Sequence, residues 1–182
     1  MLCAAAFTNR YVVASRGSVS EVYGVSPSAE AAILCSWALQ HGSANIGLPP
    51  WRADGELGRE LSSFAEQTSI GPAYNFMIFK WAEVVDAFLK LRAATAPVAL
   101  CPGTVAIQIQ GYGGIVLEVS PNGEASCRAG SASAVLRLTE LQAMSVMFGP
   151  RAPWATVELP TEAALLGAWC PLPLYISHQD GI

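Results

Sequence analysis

A glycine-rich turn, five cysteines and two histidines carry the types and spacings in this chain that could do chemistry. The turn reads Gln108-Ile-Gln-Gly111-Tyr-Gly113. It fits the loose pattern Gln/Arg-x-x-Gly-x-Gly/Ala of the acetyl-CoA loop, whose backbone N–H groups cradle a pyrophosphate. A working cradle needs a helix directly behind it, because the helix N-terminus must face the anion. Here Ile115-Val116-Leu117-Glu118-Val119 comes next, which is strand composition. The turn therefore reads as a hairpin, and no cofactor is expected.

Cys3, Cys35, Cys101, Cys127 and Cys170 are odd in number, widely scattered and mostly flanked by apolar residues. A disulfide framework or a zinc site would show closer, patterned spacing, so reduced thiols of a cytoplasmic protein are expected. His41 closes a helix beside Gly42. His178 stands in the tail next to Gln179-Asp180, and such a pair can do acid–base work. No serine or cysteine nucleophile can be placed beside it, so a solvated tail is the reading. Glu56, Glu60, Glu66, Glu83 and Asp86 fall on solvated faces of predicted helices. No catalytic residue and no metal ligand is assigned.

Apolar side chains differ in kind. Leu141, Met144, Met147 and Phe148 sit on one short predicted helix. Trp154 comes after it, and Leu165, Leu166 and Trp169 occupy the next. Methionine adapts to irregular apolar surfaces, and small-ligand pockets are mostly apolar. Leu141, Met144, Met147, Phe148, Trp154, Leu165 and Trp169 are thus the candidate lining of a pocket for a hydrophobic small molecule. The same residue types also serve as ordinary core.

Hydrophobic residues make up 52% of the 182-residue chain and charged residues only 13%. Disorder is excluded. So little charge leaves apolar surface to be buried against a partner, and a homo-oligomer is expected. A net charge of −4 without a basic stripe argues against nucleic acid. No apolar run reaches the roughly 20 residues of a membrane span, and the start, MLCAAAFTNR, lacks the basic region of a signal peptide.

The elements that must position these residues can be read in order. Strands are predicted over 10–16 and 19–25 with Gly17-Ser18 turning between them. Ser26-Pro27 caps and opens a helix that carries Ile33 and Trp37 and ends near Gly42. A strand is predicted over 44–48, a helix capped by Asp54, and a strand over 73–80. The clearest helix runs from Trp81 to Ala94: Trp81, Val84, Val85, Phe88 and Leu89 form one face, Glu83, Asp86 and Lys90 the other. Thr95-Ala96-Pro97 ends it and marks an expected domain boundary, giving domains 1–96 and 97–182. Beyond it, strands are predicted over 105–110, 115–120, 125–129 and 134–138, with Pro121-Asn122-Gly123 as a hairpin turn. Thr139 and Gln142 form a capping box, and Thr161 caps a last helix. The expected fold class is α+β.

The second half resembles the sterol-carrier-protein-type domain in its hairpin GIVLEVSPNGEASCRAG, its junction AVLRLTELQAMSVMFG and its helix TEAALLGAW. The first half resembles the second, non-catalytic lobe of GNAT-type acetyltransferases of the enhanced-intracellular-survival kind, in EVYGVSPSAEAAILCSWALQHG and AYNFMIFKWAEVVDAFLKLRA. The resemblance implies a GNAT-like lobe followed by a curved sheet with helices. In that family a preceding lobe carries the acetyl-CoA loop and the catalytic tyrosine, and the C-terminal carboxylate acts as a base. The resemblance implies that the matching carboxylate is that of Ile182, without the usual terminal aromatic, and the chain is expected to lack the acetyl-CoA-binding lobe. The expected function is a non-enzymatic binding or interaction module. The alternative is a truncated or split N-acetyltransferase part that needs a separate catalytic lobe.

Overall fold

A computed structural model describes residues 2–7, 10–15, 17–42, 45–48, 50–53, 55–69, 77–96, 98–130 and 133–174. The fold is α+β and divides into two compact units between Ile70 and Gly71.

In the first unit, β1 (Leu2–Phe7), β2 (Arg10–Ser15) and β3 (Ser18–Tyr23) form an antiparallel meander. Helix α1 (Pro27–His41) then crosses over to β4 (Asn45–Ile46), which pairs parallel to β3. Ser26 starts α1 as expected, its hydroxyl accepting from the Ala29 N–H at 3.2 Å. The β2–β3 register slips between Val13 and Ala14, so β3 takes a three-residue step and Val19 and Val22 both face inward. They pack with Val12, Ala14, Ala31 and Leu34, and with Leu57 and Leu61 of α3 (Glu56–Ser62).

Two elements here escape the sequence reading. The β1 run LCAAAF has no alternation to announce a strand. Pro50, expected only to break a strand, opens the short helix α2 (Pro50–Ala53), where its missing N–H costs nothing. Asp54 lies outside the described residues.

In the second unit, α4 (Trp81–Thr95) precedes a sheet of strand order β7-β6-β5-β8. β5 (Gly103–Ile109), β6 (Gly113–Val119) and β7 (Ala125–Ala129) are antiparallel, and β8 (Leu136–Leu138) returns parallel to β5. Alternation puts Val105, Ile107 and Ile109 on the inner face with Ile115, Leu117, Val119, Ala125 and Cys127. Trp81, Val85 and Leu89 of α4 close that face, joined by Ala143, Val146 and Met147 of α5 (Glu140–Phe148). The 108–113 glycines make a hairpin leading straight into β6, as expected. Gly123 has φ +86°, the conformation that the Asn-Gly turn needs. The capping box is present: the Gln142 N–H donates to Thr139 Oγ1 at 3.3 Å, and the Thr139 N–H to Gln142 Oε1 at 2.9 Å.

Compactness groups α4 with the sheet on its C-terminal side, whereas the sequence puts the boundary after Ala96. The reason is packing: α4 lies along β7, and its Asp86 carboxylate accepts the Cys127 N–H at 2.8 Å. An edge-strand donor is thereby covered, which protects the sheet from stray pairing.

The strand expected over 73–80 lies partly outside the described residues. Within it, residues 77–80 form no strand, although Met77, Ile78 and Phe79 alternate exposed, buried, exposed. The helix expected from Thr161 is also corrected. It is a 3₁₀ turn, Thr161–Ala163, followed by α6 (Leu166–Trp169), and no side chain caps either. Leu165, at the join, fills the space where a Cβ on Gly103 would stand 2.3 Å from its Cδ1. Residues 175–182, with His178, Asp180 and Ile182, lie outside the described residues.

Candidate functional site

α4 and α5 build an aromatic seam over the inner face of the second sheet. Phe148 of α5 sits 5.9 Å from Phe88 and 6.4 Å from Trp81, ring centre to ring centre. Tyr112, on the β5–β6 turn, meets Trp81 edge-on at 6.2 Å, and its hydroxyl donates to Glu140 at 2.9 Å. Such offset and edge-on contacts suit the ring quadrupoles. Glu140 holds the Tyr112 phenol above its ordinary range, chiefly through that hydrogen bond.

The seven candidate lining residues separate into three settings. Met147 and Trp169 have no exposed surface and Phe148 has 6%. Trp169 is anchored as well as buried, its indole N–H donating to the Cys101 carbonyl at 2.9 Å. Met144 and Leu165 are half-buried against the core. Leu141 and Trp154 are 77% and 70% exposed. Position decides this grading: residues 141, 144 and 148 share one face of α5, which runs from solvent at its N-terminal end into the core at the other. Trp154 lies in a 3₁₀ turn, Pro153–Ala155, beside Gly167 of α6. A groove of about 630 Å³ lies elsewhere, between α4 and the β6–β7 hairpin. Lys90, Ala93, Glu118, Ser120, Glu124 and Ser126 line it, and none of the seven does.

Titratable groups in the second unit serve structure. Burial pushes the Cys127 thiol up to about 12, with Asp86 adding to it. Burial likewise pushes Cys170 up to about 12, and its thiol lies 3.9 Å from the Met147 sulfur. A thiol in that range is protonated at neutral pH and is a poor nucleophile. Asp86 is raised by burial, but its bonds to Lys90 and the Cys127 N–H outweigh this and hold it below the ordinary carboxylate range. The sequence reading of Asp86 as a purely solvated helix carboxylate is thus corrected. Its sequence pattern could not reveal a partner 41 positions away.

In the first unit, His41 ends α1 and its ring lies tilted against Trp37, 4.7 Å between ring centres. Glu30, 7% exposed, accepts from the Gly24 N–H at 3.1 Å and pairs with Arg52. Among the described residues, no three His, Cys, Asp or Glu side chains converge as a metal site. No described helix is long and apolar enough to cross a membrane.

Trp81 and Phe148 of the aromatic seam are buried in the core, and α5 presents Leu141 to solvent at its N-terminal end. No protein-family model, curated protein or solved structure matches the chain.

Proposed function

We propose that the chain is a non-enzymatic binding module whose second unit takes a hydrophobic small molecule in the manner of a sterol-carrier-type domain. The first unit, GNAT-like on its residues, serves assembly. One observation carries the reading. A single face of α5 leads from exposed Leu141 through half-buried Met144 to Phe148 in the core. An apolar face that starts in water and ends among aromatic rings offers a ligand both an entrance and a destination. Met144 and Met147 supply side chains that repack at low cost. Free cysteines among the described residues fit a cytoplasmic setting, and a second copy covers further apolar surface.

The neutral dye Nile red tests the reading. Saturable binding with a blue-shifted emission is expected, about tenfold weaker for Met144→Asp, since a buried carboxylate opposes an apolar ligand. Absence of saturable binding by the wild type overturns it.

A further inference from the structure

The indole N–H of Trp81 is buried without a hydrogen-bond partner among the described residues, in a side chain only 3% exposed. Buried donors are ordinarily bonded, and one that is not calls for a reason. Trp169, equally buried, shows the ordinary case: its indole N–H is held by the Cys101 carbonyl.

The rings that meet Trp81 among the described residues are Phe148 and Tyr112. Phe148 belongs to the core, whereas Tyr112 is 39% exposed and forms the outer of the two covers. The backbone that carries Tyr112 is moored. Ile109 and Gly113 pair across the turn, the Tyr112 N–H donates to the Ile109 carbonyl at 3.1 Å, and the Gln110 N–H donates to the Leu138 carbonyl at 2.9 Å. Leu138 leads into the capping box that fixes the start of α5, and Glu140 is the first residue of that helix. Tyr112 and Glu140 therefore stand on fixed posts, joined by the hydrogen bond between their side chains. Around the tyrosine the turn is open: a Cβ added at Gly111 or Gly113 would meet nothing within 4 Å. The ring can swing outward about its own side-chain bonds without disturbing the hairpin.

Two contacts hold the ring down, its edge-on packing on Trp81 and a hydrogen bond in solvent. One cost opposes them, the unmatched indole donor, which water satisfies once the ring leaves. Each is of the order of a single hydrogen bond, so the closed and open states lie close in free energy. We propose that Tyr112 is a side-chain gate over the Trp81 indole, latched by Glu140, and that its opening hydrates the indole N–H. This goes beyond the binding function proposed above and does not rest on it. The gate gives the second unit a local opening that leaves the backbone and the rest of the core in place.

Hydrogen exchange at the tryptophan indoles of the full chain, read by NMR on protein labelled at the indole nitrogen, tests the gate. Trp81→Phe identifies the Trp81 resonance by its loss, and Trp154 and Trp169 are identified likewise. In the wild type, the Trp81 N–H is expected to exchange more slowly than that of exposed Trp154 and faster than that of bonded Trp169. Tyr112→Ala is expected to speed Trp81 exchange at least about tenfold, and Glu140→Ala about threefold, with the Trp169 rate unchanged in both. Glu140→Gln, whose amide oxygen still accepts the hydroxyl, is expected to stay near the wild type. A Trp81 rate unmoved by Tyr112→Ala overturns the gate. So does a rise shared equally by Trp169, since that is loosening of the whole core. A wild-type Trp81 rate equal to that of Trp154 overturns the closed state, and a Glu140→Ala rate equal to the wild type overturns the latch.

Discussion

The two units treat buried polar groups in opposite ways. In the first, Glu30 is out of water and fully engaged, with the Gly24 N–H on one oxygen and Arg52 on the other. In the second, the Trp81 indole N–H and the Nε of half-buried Arg92 are out of water and unmatched among the described residues. The second unit also has by far the larger described core, built from both helices and the inner face of its sheet. A unit with apolar packing to spare tolerates unmatched donors, whereas a small core leans on its polar pair. The difference is in keeping with the proposal of a binding role for the second unit and a scaffold role for the first.

The comparison breaks most readily at α4. Leu89 has no exposed surface and packs against the second sheet's core. Leu89→Ala is expected to cost about 2–5 kcal/mol in a urea titration. A loss below about 1 kcal/mol would mean that α4 is not docked on that core.

Next in size is the polar pair of the first unit. Glu30→Ala leaves the Gly24 N–H and Arg52 without their acceptor. The expected cost is about 1–3 kcal/mol, below that of a wholly buried pair because Arg52 is a third exposed. Glu30→Met with Arg52→Met is expected to recover most of that loss. Failure to recover would show that the Glu30 site depends on more than the pair.

Asp86 sharpens the contrast through pH. Its folded-state value lies below the ordinary one, so its stabilising effect is complete above about pH 4. That effect fades as pH falls through the folded-state value, because the unfolded chain then binds the proton first. Asp86→Asn is expected to lose about 1 kcal/mol near neutrality and to show a shallower decline below pH 4 than the wild type. Parallel acid curves for the two proteins would remove Asp86 from the account.

The smallest effect is expected at the solvent end of α5. Leu141→Ser is expected to change stability by no more than about 0.5 kcal/mol, the side chain being 77% exposed. The same substitution is expected to weaken Nile red binding measurably. A stability loss like that of Leu89→Ala would make Leu141 a packing residue and remove it from the entrance.

The parts of this fold written in local pattern were readable in advance. The period-2 run Val105–Ile109, the Asn122-Gly123 turn, the Ser26 cap and the Thr139–Gln142 box each encode their geometry within a few residues. Features that depend on distant partners were not. LCAAAF pairs as β1 because β2 is there to receive it, and no alternation announces it. Leu165 and Trp169 read as one helical face, yet the chain turns between Thr161 and Leu166 where Leu165 packs over Gly103. At the candidate site, the α5 residues were nameable from their types, but their grading from exposed Leu141 to buried Met147 comes from how the helix lies on the sheet.

Native mass spectrometry of the full chain, purified without organic solvent, tests the central claim most directly. The account predicts a population carrying one non-covalent adduct of a hydrophobic small molecule, released as collision energy rises. Added Nile red is expected to bind in its place. A spectrum of bare protein alone, unchanged after Nile red is added, would contradict the account.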